Sequence, residues 1–495
     1  MLKPDEIKVI IESDKTSEQK CFARIGERYY DGDHDILQYR MFYYNSDGEL
    51  VEDRTRSNVK IPHPFFTELV DQCTQYVLSG ERIVVANDTA LQEYMDEYFN
   101  NNESFMTDLA TCIDDMQIKG FAYMYAYKSK KDRTAFAAAD PIDVIEVRDK
   151  DTDDGCAYTI YHYIDRIDKG RKIVKRIQVW DDKQTWYYVQ VDEGEILLDE
   201  NEPINPKPHV LYTKDGDKTK STYFENFGYI PFIIVENNKK RFSSLRPVKA
   251  IIDDYDLMAS SLSNNLIDFD SPLYAIKGFQ GDNLTELQTN LKTKKMVGLD
   301  ENGEIEVKTV DVPYQARQAK LELDEKNIYR FGMGLNTAGL KDTSATTNIA
   351  IKAMYSLLDL KAKKVEKNLK KLLRKLVEIV VDEINKMNGK AFQSEDVHFE
   401  FTHEVMSNAL ENAQIELTEA QKQQVAISTL LNLATQLDDE TLMQLICDEL
   451  DIDYEDIKGK LSKKEEDDLY NVQNALNGAI TDEHQTEGSI ATGTE

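Results

Sequence analysis

Seven apolar residues set the first constraint on this fold. Leu358, Ala362, Val365, Leu369, Leu372, Leu376 and Ile379 recur at near-heptad spacing, the pattern of a helix that buries one seam along its length. The helical pattern spans residues 349–390, a rod of roughly 60 Å. Lys363, Lys364, Lys367, Lys370, Lys371, Arg374 and Lys375 fall on its other side, so that Lys361 to Lys375 holds eight bases and one acid, Glu366. Taken alone, such a face is a solvated helix surface. A stripe this long is more than one chain is expected to bury by itself, which predicts self-association.

At 495 residues the chain has the length of roughly three domains, and its segments differ in period. Phe65, Phe66, Leu69, Val70, Cys73, Tyr76 and Val77 keep helical spacing up to Gly80. Phe105, Leu109, Cys112, Ile113, Met116 and Ile118 do the same up to Gly120. From Phe121 to about Val191 the period drops to two. FAYMYAY, VIEV, YTIYHYI, RIQVW and WYYVQV are separated by turn residues at Asp153-Asp154-Gly155, Lys169-Gly170 and Glu193-Gly194, which predicts an antiparallel meander. A polar loop follows, then a strand from Ile230 to Val235.

Leu245, Val248, Ile252, Tyr255, Ala259, Leu262 and Leu266 form the next apolar helical stripe, with Ser243 and Ser244 as caps and Pro247 in the first turn. Residues 271–313 read as a compact insert of a short helix and small strands around Asn302-Gly303, and helix resumes from Tyr314 to Phe331. Gly332 to Asn348, rich in Gly, Ser, Thr and Asn, predicts a mobile loop. Beyond the long helix come a short strand and further helices to about Tyr470, then a polar tail expected to be disordered.

Composition excludes several classes. Acids outnumber bases 91 to 60, a net charge of −31, which argues against a freely diffusing nucleic-acid binder, whose affinity rests on basic residues. Hydrophobic residues make up 41% and Tyr alone 26 positions, enough for a core and against disorder throughout. No run approaches the ~20 apolar residues of a membrane helix. The N-terminus lacks the order of a signal peptide, so a soluble, intracellular chain is expected. Cys21, Cys73, Cys112, Cys156 and Cys447 are odd in number, widely spaced and free of CxxC. Reduced thiols are expected, not a disulfide framework or a zinc ribbon.

Nothing in the sequence points to catalysis, a metal or a cofactor. GxxxxGK[ST] is absent, and Gly332-Met333-Gly334 lacks a third glycine and a preceding strand. Asp31, Asp33 and Asp35 alternate as calcium ligands do, but Ile36 stands where an EF-hand needs Gly and Phe42 where it needs Glu. A solvated turn is the reading there. Asp149, Asp151 and Asp153 fail the same test and read as a hairpin tip. His403-Glu404 has no second His at HExxH spacing.

Four stretches carry more information in combination: RYYDGDHDIL (28–37); IPHPFFTELVDQCTQYVLSGE (61–81) with the Gly120–Tyr123 helix-to-strand junction; GYIPFIIVENNKKRFSSLRPVKAIIDDYDLMASSLSNN (228–265); and AGLKDTSATTNIAIKAMYSLLDLKAKKVE (338–366). In order and spacing they resemble the portal (head–tail connector) proteins of tailed bacteriophages, the branch found in siphophages of Gram-positive hosts. The resemblance covers about residues 20–390; beyond 390 the chain matches only as acidic and helical.

The resemblance implies an α+β portal fold assembled as a ring, a dodecamer in the virion, around a channel for double-stranded DNA. Its parts would be an α/β wing (1–243), two stem helices (244–270 and 314–331), a small α/β clip (271–313), a tunnel loop (332–348), the long tunnel helix (349–390), a helical crown (391–470) and a disordered tail (471–495). The stem would pack through Leu245, Val248, Ile252, Tyr255, Ala259 and Leu262. Asn336, Thr337, Lys341, Ser344, Thr346, Thr347 and Asn348 would face the DNA channel, with Gly332, Gly334 and Gly339 supplying backbone freedom.

The implied role is structural and non-enzymatic: DNA packaging and ejection at the capsid vertex, after assembly in the host cytoplasm. The implied partners are the terminase large subunit, a head–tail adaptor protein, and the major capsid and scaffolding proteins, with no membrane. An acidic ring suits a channel that guides DNA without gripping it. The basic face of 361–375 then reads as pairing with acidic neighbours across subunit interfaces. A reading from another class is a phage-associated metal-dependent nuclease or ATPase component; the missing P-loop and the lack of a compact acid–lysine cluster stand against it.

Overall fold

Helix and sheet alternate along the chain in blocks. In the computed structural model the first block holds α1 (Pro4–Lys15), α2 (Glu18–Tyr30), the hairpin β1 (Phe42–Tyr44) and β2 (Leu50–Glu52), α3 (Phe65–Val77), β3 (Val84–Ala86), α4 (Thr89–Met95) and α5 (Glu103–Ile118). Strands follow: β4 (Phe121–Lys128), β5 (Thr134–Ala139), β6 (Val144–Arg148), β7 (Cys156–Asp168), β8 (Lys172–Trp180), β9 (Gln184–Val191), β10 (Ile196–Leu198), β11 (Lys207–Pro208), β12 (Val210–Asp215), β13 (Lys220–Glu225) and β14 (Phe232–Glu236). Next come α6 (Lys249–Phe269), the pair β15 (Leu273–Phe279) and β16 (Leu299–Lys308), α7 (Tyr314–Gly332), α8 (Asn348–Asn388) and β17 (Val397–Phe399). These belong to one unit, Met1–Met406; a second, Ser407–Glu495, contains α9 (Ala409–Asn432) and α10 (Asp439–Glu449). The described residues are 2–54, 56–80, 82–129, 133–148, 155–215, 220–269, 273–279, 299–308, 314–336, 348–403, 409–433 and 438–450. The expected hairpin tip at Asp149–Asp153 and the expected tail 471–495 lie outside them.

The alternating segment makes two sheets instead of one. β6 to β10 form an antiparallel meander, with β11 joining β9. β4 leaves that sheet and pairs with β5 on one side and the sequence-distant β14 on the other. The reason is burial on both faces. Phe121 and Tyr123 enter one core while Ala122, Met124 and Ala126 enter another, so β4 needs a partner on each edge, as a central strand does.

The long helix α8 runs through the largest core. All seven residues of its seam are buried, joined by Leu373, Val377, Val380, Val381 and Ile384, in a cluster with α3, α5, β4 and β14. The expectation that this stripe exceeds what one chain buries is therefore corrected: the chain covers its own long helix. A second core joins Tyr29 of α2 and Phe66, Leu69 and Val70 of α3 to Leu245, Val248, Ile252, Ile328 and Tyr329. Ile7 and Ile11 of α1 cover the meander through Ile160, Ile177, Trp186 and Tyr188. All five cysteines are free, and Cys73, Cys112 and Cys447 are buried.

Three helix boundaries differ from the sequence expectation. α6 begins at Lys249, not at the expected 244; residues 244–248 form a turn. There Ser243 Oγ accepts the Leu245 N–H (3.0 Å) and the Leu245 carbonyl accepts the Lys249 N–H (2.8 Å), leaving Pro247 where no N–H is required. Gly332 closes α7 and Asn348 opens α8, so both lie in helices and not in the loop expected from the sequence.

Candidate functional site

The α6–α7 pair is held to α2 and α3 at one end. Leu245, Val248 and Ile252 are fully buried there. Tyr255 is partly buried, its ring edge-on to Phe65 (4.9 Å) and His63 (4.8 Å). Ala259 and Leu262 are only half-buried, and Leu266 is exposed. The apolar stripe read from the sequence is thus covered within the chain over its first half only.

Beyond Ile252 the buried line of α6 turns polar: Asp256, Ser260 and Asn264. These side chains accept backbone N–H groups from an extended segment laid antiparallel along the helix. His63 N–H meets Asp256 Oδ1 (2.9 Å), Ile61 N–H meets Ser260 Oγ (3.0 Å) and Val59 N–H meets Asn264 Oδ1 (2.6 Å). Ser57 N–H meets Asp268 Oδ1 (3.1 Å) as a fourth rung. The match is geometric. Four helical residues rise ~6.0 Å, and two extended residues advance ~6.6 Å. Sequence reasoning missed this ladder; its signal is the i, i+4 row of Asp, Ser, Asn and Asp opposite a segment lacking helical or strand pattern.

Asp256 does more than hold one rung. It is completely buried and also takes His34 Nδ1 (2.6 Å) and His63 Nδ1 (2.8 Å). His34 stacks on Tyr29 with centroids 4.5 Å apart. The DGDHD stretch is therefore a turn with exposed aspartates and a buried histidine. Its Asp33 and Asp35 are bonded by Arg28 (2.8 and 3.2 Å).

At the far end of α7 the chain is clamped before it enters residues 337–347. A Cβ built on Gly332 would lie 2.5 Å from Leu69 Cδ1, and one built on Gly334 would overlap Leu69 Cδ2. Gln72 holds Leu335 by both backbone groups, accepting its N–H and donating to its carbonyl, each at 3.0 Å. Asn336 Nδ2 donates to Glu325 Oε1 (3.3 Å). Gly332 and Gly334 are accordingly close-approach glycines seated on α3, which corrects their reading as sources of loop freedom. Thr337, Gly339, Lys341, Ser344, Thr346 and Thr347 lie outside the described residues.

Part of the basic face of α8 is used inside the chain. Arg374 donates to the carbonyls of Ser394 (3.0 Å) and Val397 (2.9 Å), Lys370 lies over Phe401, and Lys363 pairs with Asp359 (2.5 Å). Glu366 pairs with His403 (2.8 Å), which stacks on Tyr76. Among the described residues no three His, Cys, Asp or Glu side chains are grouped to hold a metal ion. No described helix is long and apolar enough to cross a membrane.

The sequence relationships agree with this architecture. A portal protein of Bacillus phage SPP1 is 26% identical over 382 residues, covering 75% of this chain and 73% of that relative. A portal protein of Clostridium phage phiCD119 is 22% identical over 407 residues, covering 77% and 85% respectively. Both hosts named are Gram-positive. The family model described as phage portal protein, SPP1 Gp6-like, matches residues 13–466, and the chain is a member of that portal family.

Proposed function

We propose that this portal protein closes into a ring, a dodecamer in the virion, at the unique capsid vertex through which double-stranded DNA is packaged and ejected. The observation that carries the ring is the exposed apolar surface of the α6–α7 pair and the β1–β2 hairpin. Leu266 and Ile267 on α6, and Tyr314 and Leu323 on α7, are each more than half exposed, as are Phe42, Tyr44 and Leu50 of the hairpin. A lone two-stranded hairpin is marginal in water, and grouped exposed apolar residues mark contact surfaces. A head-to-tail ring covers two different patches on every copy at once.

In this reading residues 271–313 are the clip that docks the terminase large subunit and later the head–tail adaptor, while the wing meets capsid and scaffolding proteins. Asn336, Thr337, Lys341, Ser344, Thr346, Thr347 and Asn348 border the channel and touch DNA weakly, and the exposed lysines of α8 pair with acidic neighbours. Light scattering and negative-stain imaging of the purified protein test the ring; a stable monomer at micromolar concentration would overturn it. Shortening residues 337–347 in an infectious system should leave heads intact but lower their DNA content. Lys341→Glu should do less, a single charge acting in water being screened beyond ~8–10 Å. Heads that fill and retain DNA normally without the loop would make it a plain connector.

A further inference from the structure

A cavity of about 400 Å³ opens where the turn before α6, the end of α7, α5 and α8 meet. Its polar lining includes Gln117, Asn237, Ser244, Arg246, Lys361 and Lys364. Three of these are cations, and no Asp or Glu is among the described residues that line it, in a chain with 91 acids.

Lys361 is the group that asks for a ligand. It is buried, and its Nζ donates to the Leu69 carbonyl at 2.7 Å. One carbonyl serves one of an ammonium's three N–H groups. Burial pushes the Lys361 ammonium below the ordinary lysine range, and the charge of Lys364 adds to that. A buried cation without an anion is a costly arrangement. Among the described residues Lys364 donates to the Asn237 side chain alone, at 3.5 Å.

Gln117 makes the complementary demand. It is fully buried, its Nε2 donates to Thr74 Oγ1 (3.1 Å), and its Oε1 has no partner in the structure described. Ser244 Oγ accepts from Asn237 Nδ2 (3.0 Å), which leaves the hydroxyl hydrogen for a ligand. The lining therefore offers cations and a hydroxyl to negative oxygens, and one acceptor to a donor.

We propose that this cavity binds a small protonated oxyanion of the hydrogen-phosphate class. Lys361, Lys364 and Ser244 take its charged oxygens, and Gln117 Oε1 accepts from its P–OH group. The site is separate from the channel role above, and joins the start of α6 and the end of α7 to α8 through one ion. The phosphoryl group is either free phosphate or a phosphomonoester, both of which keep a P–OH group near neutral pH, unlike a DNA phosphodiester.

The test uses the full-length protein, titrated with sodium phosphate at neutral pH against sodium chloride of matched ionic strength. Thermal unfolding and titration calorimetry are the readouts. Phosphate should raise the unfolding midpoint saturably, since a ligand of the folded state stabilises it by mass action; sulfate, lacking the proton, should act more weakly. Lys364→Gln should weaken phosphate binding about tenfold, and Lys361→Met should abolish it. The methionine removes a buried charge at similar length, so this variant should fold, which circular dichroism verifies. No saturable response beyond the chloride control, or an unchanged response in Lys361→Met, would overturn the site. Equal binding of sulfate would overturn its assignment to a protonated oxyanion. Glycerol phosphate that displaces phosphate assigns the site to phosphomonoesters, and failure to displace it assigns the site to the free ion. Displacement by a short DNA duplex, whose phosphodiesters carry no P–OH, would overturn the assignment.

Discussion

Asn264 and Val59 hold each other twice: the Asn264 Oδ1 accepts the Val59 N–H at 2.6 Å, and its Nδ2 donates back to the Val59 carbonyl at 3.3 Å. A side-chain amide here replaces the partner strand that an extended segment normally needs. The same substitution repeats at Ser260 and Asp256, so residues 57–63 gain sheet-like hydrogen bonding from a helix.

Removing one rung exposes its contribution. Asn264→Leu should cost about 1–3 kcal/mol, the penalty for leaving a part-buried N–H and C=O unpaired. Hydrogen exchange at the Val59 amide should accelerate with it. An equally protected Val59 amide would show that the ladder does not hold the segment.

Gly334→Ala should destabilise by about 1–3 kcal/mol through overpacking against Leu69. In a Leu69→Ala background the same change should cost much less, because the atom it strikes is gone. Denaturant melts of the four proteins give the coupling between the two positions directly.

Folding and assembly separate along α6. Ile252→Asp places an unpaired charge in a fully buried position and should cost about 3–5 kcal/mol. Leu266→Asp lies on the exposed end of the same helix and should melt normally while lowering the ring fraction in light scattering. Normal melting of Ile252→Asp would refute the packing assigned to it.

His162 gives a pH signature. Burial, followed by the charges of Lys20 and Lys15, pushes its pKa down to about 4 from an ordinary 6.5. The unfolded chain then takes up a proton below pH 6.5 that the folded chain refuses until about pH 4. Stability from this group is therefore full above 6.5 and is lost as pH falls to 4, by about 3 kcal/mol in total. Asp143, pushed up to about 6 by burial, has the opposite sign over that interval. The measurement is accordingly the difference between wild type and His162→Gln, which should shrink on acidification.

Much of the fold is legible in the sequence because apolar period reports burial. The seam of α8, the helical stripes of α3 and α5 and the meander β6–β10 all follow that rule. What lay hidden was which partner does the burying. The α8 seam reads as an invitation to a second chain, yet α3, α5 and β4 cover it, contacts that no local pattern encodes. The polar line of Asp256, Ser260 and Asn264 was invisible for the opposite reason: period finds apolar faces, and this buried face pairs by hydrogen bonds. Gly332 and Gly334 misled because glycine serves both freedom and close approach, and only the neighbouring Leu69 distinguishes the two.

The grip of Gln72 on Leu335 has a mechanical consequence. Leu335 is fastened by both backbone groups to α3, and Leu69, one turn earlier, closes on the two glycines. α3 also contributes to both large cores, through Phe66, Leu69 and Val70 on one side and Cys73, Tyr76 and Val77 on the other. A tug on the chain just past Asn336 is consequently delivered to a helix packed into both large cores before it reaches α7. The arrangement acts as a strain relief on a cable: a pull on the chain beyond Asn336 need not unwind the helix that feeds it.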